Sequence, residues 1–303
     1  MTGQPSPSRR RPPRPPAGMA GRITGRDRWI VAMLAEHRVL SGPQICLLCF
    51  DGERAARARL TLLTGLSVLE RFQPRLRERR HPFHYQLGPA GARLLAAERG
   101  VSVREIGYRP DEQAALALSP RLGHLVGGNE LFVRLSYASR GRPAGQGLSV
   151  WWSERRAASI WGDLTRPDGY AVWASPTRQV AFFAEHDTGS ESLPRVLRKL
   201  PGYTRLAAAT GIPSPVLFWL PTLRREAALR AQLPTAGAGF PILTASREHG
   251  DPAGPVWLPT HPPASLRLTP DQLADRYGLP PSPPADDPDD PATSAPPPRA
   301  PGR

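Results

Sequence analysis

Lysine is nearly absent from this chain: of 40 Lys and Arg residues, only Lys199 is a lysine. Where arginine fills almost every basic position, the surviving lysine marks a place suited to a compact, deprotonatable ammonium rather than a planar guanidinium. Cysteine is also scarce, with two residues in "CLLC" at Cys46 and Cys49. One such pair lacks the second ligand pair of a structural zinc site, so the spacing predicts neither zinc nor a disulfide. No apolar run approaches ~18 residues, which argues against a membrane partner, and the N-terminus lacks the apolar stretch of a signal peptide. The expected location is the cytoplasm. P-loop, Rossmann, nucleophile-elbow and HExxH patterns are missing too, so no small-molecule cofactor is expected.

Proline and arginine are what the chain has in excess. Many of the 38 prolines fall in "PSPSRRRPPRPP" and "PPSPPADDPDDPATSAPPPRAP". Their low apolar content cannot offset the entropy of ordering, which predicts a disordered basic arm over residues 1–22 and a disordered Pro/Asp-rich tail over 280–303. The formal net charge is +14, and the first hundred residues hold 18 Arg against 7 acids. Such a surplus points to a polyanion, most simply double-stranded DNA.

Residues 23–100 carry the pattern of a winged helix-turn-helix. A helix after Thr24 places Trp29, Ile30, Met33 and Leu34 on one face, and a second starts at "SGPQ" with Ser41 as cap. The third, "GERAARARLTLLTGL", buries Ala56, Leu60, Leu63 and Ser67 and turns Arg54, Arg57 and Thr61 outward. Two strand-like runs follow, "VLERFQPRL" and "PFHYQL", joined by "RERRH". In this order the third helix enters the major groove and the hairpin is the wing. Arg54, Arg57 and Thr61, with Arg77, Arg79 and Arg80 at the wing tip, are therefore the expected DNA contacts.

A polar connector spans 101–118, a second α/β domain 119–246 and an extension 247–279. The second domain reads α-β-β-β-α-β-α-β, a mixed sheet flanked by helices, and makes the whole chain α/β with an α+β arrangement. Its helix "SLPRVLRKLPGYTRLAAAT" is expected to kink at Pro201. Trp151, Trp152, Trp173 and Trp219 fall in strands as core.

Acidic residues gather at the ends of these strands. In "RQVAFFAEHD" the period of two puts Glu185 and Asp187 on one face. Asp168 opens the preceding strand and lies across from Glu185 if the two form a hairpin, while Glu154 closes the first strand. Four carboxylates would then converge at one sheet edge, where their desolvation needs solvent, a cation or donors. His124 and Asn129, on the helix before the sheet, can approach the same edge, and His186 should point away from Glu185.

"RPDGY" followed by "FFAEHD", in the order α-β-β-β-α-β, resembles the PD-(D/E)XK nuclease core. With the winged helix in front and "AEHDTGSE…RKLPGY" behind, residues 24 to 232 also resemble the replication-relaxation family of actinobacterial plasmid and mobile-element proteins. The resemblance implies Asp168 and Glu185 as ligands of Mg²⁺, a DNA endonuclease that nicks or cuts, and a role in replication or DNA relaxation. This sequence departs from the nuclease pattern in one place: Asp187 stands where the lysine belongs. Lys199 on the next helix is the candidate substitute, Asp187 a candidate third ligand and Glu154 an outer one. The alternative is a non-enzymatic winged-helix regulator or replication accessory factor, whose α/β domain mediates homodimer formation or partner binding.

Overall fold

Local capping decides where the first helices begin. The computed structural model describes residues 20–74, 81–233, 238–260 and 266–280. Arg77, Arg79 and Arg80, expected at a wing tip, and nearly all of the two Pro-rich termini lie outside them. Helix α1 (Gly25–His37) opens with a capping box in which Thr24 and Asp27 satisfy each other's backbone amides. Asp27 also accepts from Arg59 Nε at 2.9 Å, which ties α1 to α3 (Glu53–Gly65). Helix α2 (Gly42–Cys49) begins with the same device, Ser41 with Gln44, and has Pro43 in its first turn. Cys46 and Cys49 on α2 are free thiols.

Helix α3 buries Ala56, Leu60 and Leu63 and leaves Arg54, Arg57 and Thr61 exposed. Ser67 departs from its expected place: it lies beyond the helix, exposed, at a φ of 55°. Strands β1 (Leu40–Ser41), β2 (Leu69–Phe72) and β3 (His84–Leu87) form an antiparallel sheet in the order β1-β3-β2. The expected helix, helix, helix, hairpin order is present, with β1 as an addition too short to carry a periodic signal. Helix α4 (Pro89–Glu98) closes this part, and α5 (Pro110–Ala117) forms inside the segment expected to be a polar connector.

Helix α6 (Leu122–Ser139) lies between this part and a second, larger sheet. Gln44 Nε2 donates to Val126 O at 2.9 Å, and Asn129 Nδ2 to Val39 O at 2.9 Å. Asn129 thus bonds to the N-terminal part of the chain rather than to the acidic edge. The second sheet contains β4 (Gly147–Ser153), β5 (Gly169–Ala174), β6 (Gln179–His186), β7 (Val216–Leu220), β8 (Ile242–Ser246) and β9 (Leu258–Pro259), in that order. β4 to β6 are antiparallel, β6 to β8 parallel, and β9 antiparallel to β8.

Alternation along β6 divides the core between the two sheet faces. Phe182 and Ala184 join α6, the N-terminal helices and α11 (Pro270–Tyr277), where Phe132 stacks on Trp151 with ring centroids 5.4 Å apart. Burial of side chains this large stabilises by roughly 1.5–3 kcal/mol each. Phe183 points the other way, into a cluster with α9 (Leu200–Thr210), α10 (Leu223–Arg230) and Phe218. Trp151, Trp173 and Trp219 are buried strand residues, and Trp152 is half-buried.

Two helices depart from the expected order. Helix α7 (Glu154–Trp161) follows β4, with Ser153 as its cap. The helix expected to kink at Pro201 is instead two, α8 (Leu193–Leu197) and α9, with the break ahead of the proline. A residue without an N–H costs little in a helix's first turn, so Pro201 sits in the first turn of α9 rather than bending it.

Candidate functional site

The register of β5 on β6 pairs Gly169 with Ala184, so Asp168 lies across from Glu185 at the end of the two strands. Helix α9 starts beside that end, with Lys199 as its N-cap. Lys199 and Tyr203 are four residues apart and so share one face of the helix. Gly202 permits the approach: a Cβ there would lie 2.4 Å from the carbonyl oxygen of Leu164.

Lys199 Nζ donates to Asp168 Oδ1 at 2.8 Å and to Glu185 Oε2. Tyr203 Oη donates to the other oxygen, Glu185 Oε1. Asp168 Oδ2 accepts from the backbone N–H of His186 at 2.8 Å and lies 3.2 Å from His124 Nε2. One cluster therefore gathers a strand end (Asp168), a neighbouring strand (Glu185), a helix on one sheet face (Lys199, Tyr203) and a helix on the other (His124).

Burial opposes ionisation of Asp168, but the Lys199 ammonium and His124 outweigh it and hold its carboxyl below the usual carboxylate range. Burial pushes the Glu185 carboxyl above the usual carboxylate range and the charge of Asp168 adds to that, against the Lys199 ammonium and the hydrogen bonds from Lys199 and Tyr203. Burial alone would discharge Lys199, yet the two carboxylates raise its pKa and keep it an ammonium. His124 rises through its hydrogen bond to Asp168. His186 points away from Glu185, as expected, and its ring lies tilted against that of His124 with centroids 5.3 Å apart. Burial and the nearby Arg247 lower it to about 3, so it is neutral.

The expected convergence of four carboxylates is corrected to two. Glu154 is the first residue of α7 and pairs with Arg121 at 3.0 Å. Asp187 lies just past β6, where Arg225 Nε donates to its Oδ2 at 2.6 Å and Gly189 N to its Oδ1 at 2.7 Å. A same-face placement in the strand did not fix its partner, because α10 brings an arginine to it. Tyr203 is the participant that sequence reasoning passed over. Its signal was available in the "KLPGY" spacing, but only if α9 begins at the lysine.

Mg²⁺ is usually held by one or two carboxylates, keeping waters and substrate oxygens as its other ligands. Asp168 and Glu185 are a donor set of that kind, with the Lys199 ammonium between them. Among the described residues, no three His, Cys, Asp or Glu side chains converge to make a complete protein cage.

A mixed sheet with carboxylates and an ammonium at one strand end, joined to a helical part with its own small sheet, defines the class as an α/β protein with a polar centre. The replication-relaxation family model matches residues 31–217, well over half the chain, and the protein belongs to that family. The assignment suggests a role in replication or relaxation of a plasmid or mobile element. No curated protein and no solved structure matches. Among the described residues, no helix is long and apolar enough to cross a membrane.

Proposed function

We propose that the chain acts on DNA in two parts: the N-terminal part docks on a duplex as a winged helix-turn-helix, and Asp168, Glu185 and Lys199 form a Mg²⁺-dependent phosphodiester site on a PD-(D/E)XK-like sheet. The observation that carries the second half is Lys199 bridging Asp168 and Glu185. The lysine missing from the strand position at Asp187 is thereby supplied from α9, and the antiparallel β4-β5-β6 followed by parallel β7 supports the same reading.

Docking is supported by the exposed Arg54, Arg57 and Thr61 on α3. Beside them the guanidinium of Arg71 lies 4.5 Å over the ring of the exposed Phe83. A cleft of about 590 Å³ separates α3 from the β2–β3 side. Helix and strands thus set basic and aromatic side chains on both sides of this cleft, where a groove and its backbone could be met.

Asp168 and Glu185 would hold Mg²⁺, whose chemistry is to polarise a phosphate and acidify a bound water. The chain's own groups do the positioning. Tyr203 Oη fixes Glu185 Oε1, His124 Nε2 fixes Asp168 Oδ2, and Lys199 Nζ offers its protons to a phosphate oxygen or the attacking water.

One observation favours a second reading. All four oxygens of Asp168 and Glu185 already have donors, and Asp187 is held by Arg225, so the cluster is closed as an ion-pair network. On that reading the protein is a regulator or accessory factor whose α/β part binds a partner or a second copy of the chain. Supercoiled plasmid incubated with Mg²⁺ or Mn²⁺ separates the two. Nicking by wild type but not by Asp168→Asn supports the nuclease; equally intact plasmid with both, across several substrates, supports the regulator.

A further inference from the structure

A second cleft, of about 560 Å³, opens beside the polar centre between the end of α1, α5 and α7. His124, the residue touching Asp168, lines it, and so does Arg166, two positions before Asp168. Four arginines face three glutamates on its walls, and two of those acids are engaged: Glu154 with Arg121, and Glu36 with the backbone N–H of Ser153 at 3.0 Å. Arg155 is also fixed, donating to Ala35 O at 2.8 Å. The side chains of Arg38 and Arg166, both on the cleft wall, make no hydrogen bond or ion pair among the described residues.

Arg38 is held unusually. It caps α1 at φ 67° and ψ −47°, and Val39 N–H donates across it to His37 O at 2.8 Å. This is the rare γ-turn with positive φ, a strained conformation for a residue with a side chain. The preceding His37 is wholly buried beneath the cleft, and both of its ring nitrogens lack a partner among the described residues. Strain at a free arginine, and unpaired nitrogens under the same surface, are costs that the fold alone does not explain.

We propose that this cleft binds the backbone of a single DNA strand, with Arg38 and Arg166 on its phosphates, and leads it past His124 to Asp168. The inference rests on the DNA-acting function proposed above. The size of the cleft selects the ligand: it is that of a small-molecule site, too small for a double helix whose major groove alone is ~12 Å wide. The apolar wall at Ala115, Leu116, Leu125 and Ala158 suits sugar edges rather than base-specific contacts.

The test is binding of a fluorescent single-stranded oligonucleotide across a salt series, with EDTA present so that no cleavage contributes. Arg38→Gly combined with Arg166→Gln should weaken binding roughly tenfold, about 1.4 kcal/mol. It should also flatten the slope of log affinity against log salt by about 1.4, at ~0.7 per phosphate contact on single strands. Arg38→Gly alone should leave the thermal midpoint unchanged or raised, because glycine adopts the positive φ without strain. Unchanged affinity and slope in the double variant would overturn the proposal, as would a lowered midpoint in Arg38→Gly with strand binding intact. Duplex binding by the same double variant should match wild type. If wild type binds no DNA of either kind, the parent reading fails; if only the single-strand effect is missing, this one does.

Discussion

Lys199 Nζ lies 2.8 Å from Asp168 Oδ1, joining residues 31 positions apart in sequence through a helix that the lysine itself caps. The same ammonium meets Glu185, so two carboxylates on neighbouring strands share one counter-charge. Everything proposed for the site depends on that sharing.

Lys199→Met removes the counter-charge and leaves two carboxylates facing each other. Breaking a buried pair costs about 3–5 kcal/mol. Lys199 is 34% exposed and Glu185 can take up a proton, so the loss here should be smaller, roughly 2 kcal/mol. Millimolar Mg²⁺ should raise the thermal midpoint of this variant more than that of wild type, since a divalent ion can take the vacated position. Equal Mg²⁺ shifts in both proteins would remove the case for a cation site between Asp168 and Glu185.

Tyr203→Phe keeps the ring in its cluster with Phe183 and Phe240 and deletes only the hydroxyl on Glu185. A lost hydrogen bond to a buried carboxylate costs about 1.5–3 kcal/mol. A double-mutant cycle with Glu185→Leu isolates the contact, and urea unfolding should give a coupling above ~0.5 kcal/mol. Additive effects would mean that the two side chains do not interact in solution.

The sequence made the partners of this cluster legible unequally. Asp168 and Glu185 could be placed opposite each other because strand alternation and a short hairpin leave few registers. Lys199 stood out through composition alone. Glu154 and Asp187 were misplaced because alternation gives a face but not what packs on it: Arg121 and Arg225 arrive from helices distant in the chain. Pro201 was legible as a breaker, but not as the first turn of a new helix. That distinction decides whether Lys199 and Tyr203 share a face.

The stability of the protein should fall in mild acid through His37. Burial comes first in lowering its pKa to about 4, the nearby Arg155 and Arg156 add to this, and Glu36 opposes it. The folded state thus holds a neutral imidazole, while the unfolded chain takes a proton near pH 6.5. Stability from this group is complete above about pH 6.5 and is lost as pH falls from there towards 4, at ~1.4 kcal/mol per pH unit and roughly 3 kcal/mol in all. His37→Phe should keep the stack on Trp151, now 3.8 Å between centroids, and flatten the dependence. Urea midpoints at pH 7.5, 6 and 5 give the comparison. Parallel curves for the two proteins would show that His37 is not buried neutral.

Duplex binding should depend on the exposed face of α3. Arg57 is only loosely held by Glu53, at 3.8 Å with both side chains largely exposed, and Arg54 is exposed beside it. An ion pair of that kind contributes little to stability, so Arg54→Gln with Arg57→Gln should leave the urea midpoint almost unmoved. If both arginines reach phosphates, the double variant loses about 0.9 per contact from the slope of log affinity against log salt on duplex DNA, close to 2 in total. An arginine that reads a base edge instead would reduce discrimination between sequences by roughly 1–3 kcal/mol per base pair and change the slope less. Anisotropy titrations on one duplex at four salt concentrations, repeated on an unrelated sequence, measure both quantities. A variant with wild-type slope and wild-type discrimination would move the docking surface away from α3 altogether, since no second contact could then compensate for two lost guanidinium charges at every salt concentration.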